Sequence, residues 1–143
     1  MEQIKIRIFL IDDHPIVHEG VYAYLTDHSI EVVGEASNAS EAFRKVKKLA
    51  PDVIIFGVNL PSINDGKLVN RLHRLVPKSN ILIFSIHSSE DYAERMARSG
   101  ARGVVTKDQP TAELFNAIKH VYQGGLQFPA GVVSKKKKHK PAP

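Results

Sequence analysis

The stretch Ile-Phe-Leu-Ile-Asp-Asp at residues 8–13 decides the fold of this chain. Its four consecutive apolar residues predict a β-strand buried on both faces, as the strands of a parallel sheet are. Two carboxylates follow directly where this strand ends. The combination predicts a polar site at the carboxyl end of a buried parallel sheet.

The same pattern recurs along the chain, with helical segments between the strands. After a first strand at residues 4–11, apolar runs predict strands at residues 31–36, 52–57, 81–86 and 101–106. Helix boundaries are indicated by Pro15, by Asn38 with Glu41, and by Pro77, Gly100 and Pro110. Five β-then-α units without hairpin turns predict an α/β fold, a doubly wound parallel sheet with helices on both faces.

Composition limits the class of protein. The chain has 143 residues, of which 43% are hydrophobic and 24% charged, which suits one ordinary folded domain. The absence of cysteine excludes disulfides, thiolate metal sites and a cysteine nucleophile within this sequence. It contains neither an apolar run of the roughly 18 residues that a membrane helix needs nor a signal-peptide layout at its start, so we expect a cytoplasmic protein without a membrane partner.

The net charge of +5 belongs to the last residues of the chain. Five lysines lie there, at Lys135, Lys136, Lys137, Lys138 and Lys140. Without them, 15 Lys and Arg balance 15 Asp and Glu, so the body is formally neutral. We expect residues 126–143 to form a disordered basic tail or linker stub. Such a tail either binds nucleic acid weakly and without sequence preference or is a solvated terminus.

Polar residues end three of the predicted strands, at Asp12-Asp13, Ser85 and Lys107, while Gly57 ends a fourth, and all should meet at one edge of the sheet. Adjacent acids such as Asp12 and Asp13 suit a magnesium ion, Ser85 can hydrogen-bond an anionic oxygen, and Lys107 can neutralise phosphate. These are the parts of a phosphoryl-transfer site. The alternative is a set of ordinary surface charges, in which one of the acids pairs with Lys107.

The chain resembles the receiver domain of two-component response regulators over residues 5–125. The motifs that carry the resemblance are Ile-Asp-Asp-His-Pro at 11–15, Pro-Asp-Val-Ile-Ile-Phe at 51–56, Asn-Leu-Pro at 59–61 with Asp-Gly at 65–66, Ser85, Gly-Ala-Arg-Gly at 100–103 and Thr-Lys at 106–107. Asp-Asp-His-Pro at 12–15, Glu-Gly at 19–20 and Gly-Ala-Arg-Gly at 100–103 are similar to the subfamily that usually carries a helix-turn-helix output domain. The resemblance implies a receiver domain at residues 1–125 with a flavodoxin-like sheet of order 2-1-3-4-5.

The resemblance also implies roles for the residues at the strand ends. Asp12 and Asp13 fall where the family holds magnesium, together with the backbone carbonyl of Asn59. Ser85 falls on the hydroxyl that senses phosphate, and Lys107 on the lysine that contacts it. The side chain of Asn59 falls at the position whose side chain influences hydrolysis in the family.

Two positions depart from the family pattern. The phospho-accepting aspartate is replaced by Gly57, and the switch aromatic of the fifth strand by Val104. Glycine supplies neither a nucleophile nor a metal ligand, so the acceptor has been lost, by descent or by substitution. We expect magnesium to bind weakly, and Lys107 to turn toward Asp12 or Asp13 instead.

The sequence therefore predicts a regulatory receiver in a phosphorelay that controls transcription, not an enzyme, working through protein contacts rather than aspartyl phosphate. The alternative is phosphorylation at an unconventional residue, with Asp12, Asp13, Ser85 and Thr106 as candidates.

The resemblance implies protein partners: an output domain, a histidine kinase or another receiver. It also implies a possible homodimer through the last two helices, and Phe115, Ile118 and Tyr122 are candidates for the contact face. An output domain either belongs to a longer form of this protein or is absent from a stand-alone receiver.

Overall fold

The computed structural model describes residues 5–12, 30–60, 62–86 and 89–128. Its strands are β1 (Ile6–Ile11), β2 (Ile30–Ala36), β3 (Val53–Val58), β4 (Asn80–Ser85) and β5 (Gly103–Thr106). Its helices are α1 (Ala39–Leu49), α2 (Asp65–Leu75), α3 (Glu90–Ser99) and α4 (Thr111–Tyr122). The helix predicted to begin at Pro15 lies outside the described residues.

The strands form one parallel sheet in the order β2-β1-β3-β4-β5, which confirms the predicted fold. The order reverses between β1 and β3, the two strands that end in Asp12 and Gly57. Ile11 lies opposite Phe56 in the register of this pair, so Asp12 follows directly beside Gly57. The sheet thus brings the two residues together at its carboxyl edge.

Both faces of the sheet are covered, which explains the continuous apolar runs in the sequence. Phe9, Ile54 and Ile83 face a core shared with α1, α2 and α3. Their neighbours in the chain face the opposite core, which is shared with α4. Each of the three central strands therefore has no polar face, and polar residues lie only near the two ends of a strand.

The predicted helix signals have the expected geometry. The Asn38 side chain accepts a hydrogen bond from the Glu41 amide at 2.9 Å, and the Glu41 carboxylate accepts one from the Ser37 amide at 2.9 Å. The pKa of Glu41 is lowered, mainly by its hydrogen bond from Lys45. Gly100 ends α3 with φ +118°, a left-handed conformation that favours glycine.

The folded body extends beyond the predicted boundary at residue 125. The Gln127 amide donates to the Arg102 carbonyl at 2.9 Å, and the Val104 amide donates to the Gln127 carbonyl at 2.8 Å. Phe128 is buried. An edge strand has unpaired backbone groups, and residues 126–128 satisfy those of β5. Composition alone could not show this, because the segment is short and has no strand pattern.

Ile118 is a second difference from the sequence analysis. The prediction of Ile118 as a contact residue was wrong, since its side chain is fully buried in the core between α4 and the sheet. Phe115 is partly buried, and Tyr122 is 38% exposed. The helical spacing identified the apolar side of α4 correctly but could not separate the buried residues from those at its margin.

A buried hydrogen bond joins α3 to the start of α2. The Tyr92 hydroxyl donates to Asp65 Oδ2 at 2.7 Å, and the same oxygen accepts from the Ser62 amide at 2.9 Å. Burial raises the pKa of Tyr92, and the neighbouring Asp65 carboxylate raises it further. The neutral phenol is therefore the form that the fold stabilises.

We predict that Tyr92→Phe lowers the free energy of unfolding by about 2 kcal/mol, because a hydrogen bond to a charged acceptor is lost. Folding raises the pKa of Tyr92. The contribution of its neutral hydroxyl to the free energy of unfolding is therefore fully present below about pH 10 and declines above that pH. The difference between wild type and variant in urea unfolding should narrow above that pH.

Tyr122→Phe is the matched control, because this ring is 38% exposed. It should change the free energy of unfolding by less than about 0.5 kcal/mol. An equal loss in the two variants would show that the Tyr92–Asp65 bond does not stabilise the fold.

Candidate functional site

Asp12 is the buried carboxylate at the carboxyl end of β1. Its amide donates to the Ala36 carbonyl of β2 at 3.0 Å, and only 1% of the residue is exposed. A carboxylate in this position needs a partner, because an unpaired buried charge is strongly unfavourable. The loop that follows β5 supplies that partner.

Lys107 reaches Asp12 from the loop that follows β5. Its Nζ lies 2.8 Å from Asp12 Oδ2 and donates to Asn59 Oδ1 at 2.6 Å. The Asn59 Nδ2 donates in turn to Asp12 Oδ1 at 3.4 Å. We call Asp12, Asn59 and Lys107 the strand-end triad. It confirms the prediction that Lys107 pairs with one of the two acids.

Gly57 explains why Asp12 lies where it does. A Cβ atom at position 57 would overlap Asp12 Oδ2 and lie 2.8 Å from the Ile11 carbonyl oxygen. The Asp12 carboxylate therefore fills the space that any other side chain at this position would enter. The φ of Gly57 lies outside the left-handed region, so space rather than backbone conformation favours glycine here.

Ser85 and Thr106 complete the carboxyl edge on the other side of the triad. Ser85 is fully buried, and its carbonyl accepts from the Lys107 amide at 2.5 Å. The Thr106 hydroxyl donates to Asp108 Oδ1 at 2.6 Å. Val104 is buried in β5 and has no ring to move. Of the side chains predicted to meet at this edge, Asp12, Asn59 and Lys107 contact one another, and Ser85 joins Lys107 through its backbone. Asp13 lies outside the described residues.

A small cleft of about 300 Å³ opens beside the triad. Its wall runs from Asp12 and Gly57 to Asn38 at the start of α1 and to Asn59 and Asp65 after β3. Asp12 thus forms part of the wall, while its carboxylate oxygens are engaged by Lys107 and Asn59.

The described residues do not fit a magnesium site as they are arranged. Magnesium needs carboxylate or carbonyl oxygens that face a common point. Among the residues that the structure describes, no group of three or more His, Cys, Asp or Glu side chains could hold a metal. Asp12 is the described member of the predicted pair of acids, and its ammonium partner occupies the place of a cation.

The fold and the triad define a receiver-type α/β domain, and comparison with known proteins agrees. Residues 8–119 match the response regulator receiver domain family. The chain belongs to this family. None of the described helices is long and apolar enough to cross a membrane.

Two curated relatives are transcriptional regulators. The chain is 34% identical to the transcriptional regulatory protein MctR of Rhizobium johnstonii, over 92% of this chain and 62% of that protein. It is 35% identical to the transcriptional regulatory protein DegU of Brevibacillus brevis, over 85% of this chain and 52% of that protein. The chain thus spans somewhat more than half the length of these relatives.

Two solved structures are similar over nearly their whole length. A LuxR-family two-component response regulator from Aurantimonas shares 31% identity at a TM-score of 0.79, covering 96% of this chain and 99% of the other. The signal receiver domain of the putative regulator NarL from Mycobacterium tuberculosis shares 27% identity at a TM-score of 0.77, covering 85% and 99%. The chain is therefore close to LuxR- and NarL-type regulators, which carry a helix-turn-helix output domain.

We predict that Asp12 and Lys107 are energetically coupled. Lys107→Met should cost about 3–5 kcal/mol of unfolding free energy, because it leaves the Asp12 carboxylate buried without its cation. The double variant Asp12→Asn/Lys107→Met should be more stable than Lys107→Met alone. A double-mutant cycle by urea unfolding measures the coupling, and additive losses would contradict it.

Proposed function

We propose that this chain is a receiver in which a permanent ion pair has replaced the phosphorylation switch. It acts through protein contacts in a two-component system that regulates transcription. The observation that supports the proposal is the Asp12 carboxylate, which lies over Gly57 and pairs with Lys107.

Charge balance supports a fixed pocket. Side-chain exposure is 12% for Lys107 and 0% for Asp12, so their attraction is little screened by water. A phosphoryl group would have to displace one partner of the pair and leave the other buried, and breaking such a pair costs about 3–5 kcal/mol. The triad thus holds the lysine in one place with or without a phosphodonor.

Three of the candidate acceptors are poorly arranged for attack on a phosphodonor, and the fourth, Asp13, lies outside the described residues. Asp12 has both oxygens engaged, Ser85 is fully buried, and the Thr106 hydroxyl donates to Asp108. An in-line displacement needs an accessible nucleophile, and a misplacement of about 1 Å can cost roughly a hundredfold in rate. We therefore favour no phosphorylation over phosphorylation at an unconventional residue.

The partner contact would use helix faces rather than the β5 edge of the sheet. Gln127 pairs with the outer side of β5, so another strand cannot add there without displacing it. The last two helices, α3 and α4, remain candidates for a homodimer or for contact with an output domain or kinase. On α4 the exposed aromatic residue is Tyr122, and Phe115 is partly buried beside it. The Lys119 ammonium lies over the Phe115 ring, at 4.5 Å from its centroid.

We predict that the wild-type chain gains no mass when it is incubated with acetyl phosphate and Mg²⁺, and that Gly57→Asp gains one base-labile phosphoryl group. The new side chain must push Asp12 aside, which should cost about 1–3 kcal/mol of stability. The displaced Asp12 then becomes free to share a cation with the new carboxylate. Intact mass spectrometry measures both proteins.

Gly57→Ala is the matched control, since its Cβ displaces Asp12 in the same way but brings no carboxylate. It should stay unmodified. A phosphoryl group on the wild type would overturn the proposal, and a folded Gly57→Asp that stays unmodified would show that more than position 57 has diverged.

In the same samples, magnesium should bind the wild-type chain with a Kd above about 1 mM and should bind the Gly57→Asp variant more tightly.

A further inference from the structure

A cleft of about 730 Å³ lies between α2 and α3, away from the strand-end triad. It is lined by five cationic side chains, which we call the basic cleft: Lys67, Arg71, Arg74, Arg95 and Arg98. All five side chains are exposed. The first three lie on α2 and the other two on α3.

Helix geometry makes the two rows face each other. Intervals of three and four residues place Lys67, Arg71 and Arg74 on one side of α2, and an interval of three does the same for the two arginines of α3. The helices pack closely at one end of the cleft, since a Cβ on Gly66 would lie 2.8 Å from Ser99 Oγ. Nearby, Asn70 Nδ2 donates to the Ser99 carbonyl at 3.5 Å.

Most of this charge is not neutralised within the described part of the chain. Arg98 pairs with Glu94. The other four cations have no carboxylate partner among the described residues. Arg71 stacks on the Phe43 ring at 4.2 Å and Arg95 lies over Tyr92 at 5.5 Å, contacts that orient each guanidinium without cancelling its charge.

We propose that the basic cleft binds the phosphate backbone of a nucleic acid. Four cations of the cleft lack a carboxylate partner among the described residues, although residues 1–134 have no formal net charge. Such a cluster attracts a polyanion that belongs to another molecule. Four of the five cations are arginines, whose planar forks match phosphate oxygens. This surface lies in the folded body and is separate from the lysine-rich tail.

The shape of the cleft favours a nucleic acid over the other anions. A protein partner usually needs buried apolar anchors, and Ile63 is the one large apolar side chain in the lining. A free nucleotide needs an enclosing pocket, whereas these cations are all exposed at an open trough. Protein–nucleic acid interfaces are polar and strongly positive, as this surface is.

The test measures binding of a 20-base-pair duplex of arbitrary sequence by fluorescence anisotropy, at salt concentrations from about 50 to 200 mM. The parent is the full chain with its five tail lysines changed to Gln, so that the tail does not mask the body. Arg74→Gln/Arg95→Gln removes one cation from each helix of the cleft. The matched control, Lys47→Gln/Lys48→Gln, removes two exposed cations of α1 that do not line the cleft.

Each neutralised phosphate contributes about −0.9 to the slope of log affinity against log salt, so five contacts give at most about −4.5. Over a fourfold rise in salt the parent should lose up to about 500-fold in affinity, and the cleft variant only about 40-fold. The control should behave like the parent. Substitutions at exposed positions should leave thermal unfolding nearly unchanged.

Equal slopes for the cleft variant and the control, or no binding by the parent, would overturn the proposal. Competition with unlabelled anions distinguishes a nucleic acid from the other ligands that could occupy the cleft. A poly-glutamate peptide or inorganic tripolyphosphate that displaces the duplex at a lower charge concentration than unlabelled DNA would assign the cleft to an acidic protein segment or a small polyphosphate instead.

Discussion

The ion pair between Asp12 and Lys107 is the interaction on which the polar end of this domain depends. The register of the sheet creates the need for it, since pairing Ile11 with Phe56 leaves Asp12 buried beside Gly57. Asn59 closes the arrangement by bonding both partners. Removing either Asp12 or Lys107 would leave the charge of the other without compensation in a buried place, which is strongly destabilising.

Glycine at position 57 has a structural consequence beyond the loss of a nucleophile. It opens a space, and the nearest carboxylate occupies that space. Lys107 is held by Asp12 in this arrangement. In the correspondence that the family resemblance implies, Gly57 and Val104 stand where other receivers have the acceptor and its aromatic reporter. A pocket fixed in this way suits a module whose contacts do not depend on phosphorylation.

The sequence was sufficient for the fold because the three central strands are buried on both faces and their apolar runs are continuous. It also predicted that Lys107 meets an acid. It could not predict that Asp12 would fill the space over Gly57, since that depends on the rotamer of one side chain at a particular register. The pairing of Gln127 with β5 and the burial of Ile118 were missed for a similar reason. Both depend on which side of an element meets the sheet edge or core, and spacing alone leaves this open.

The basic cleft was equally hidden in the net charge, because acids elsewhere in residues 1–134 balance its five cations, which are spread over residues 67–98. Helix packing brings these cations of α2 and α3 together in space. Net charge located the lysines of the tail and gave no sign of this second surface.

The most direct test of the fixed pocket is the exchange of the Lys107 ammonium protons with water, followed by ¹⁵N-detected NMR near pH 6. A buried ammonium that bonds Asp12 and Asn59 should exchange slowly and give a resolved signal, which Asp12→Asn should remove or broaden. The exposed Lys119 provides the reference for fast exchange. A Lys107 signal that exchanges as fast as that of Lys119 would contradict the account.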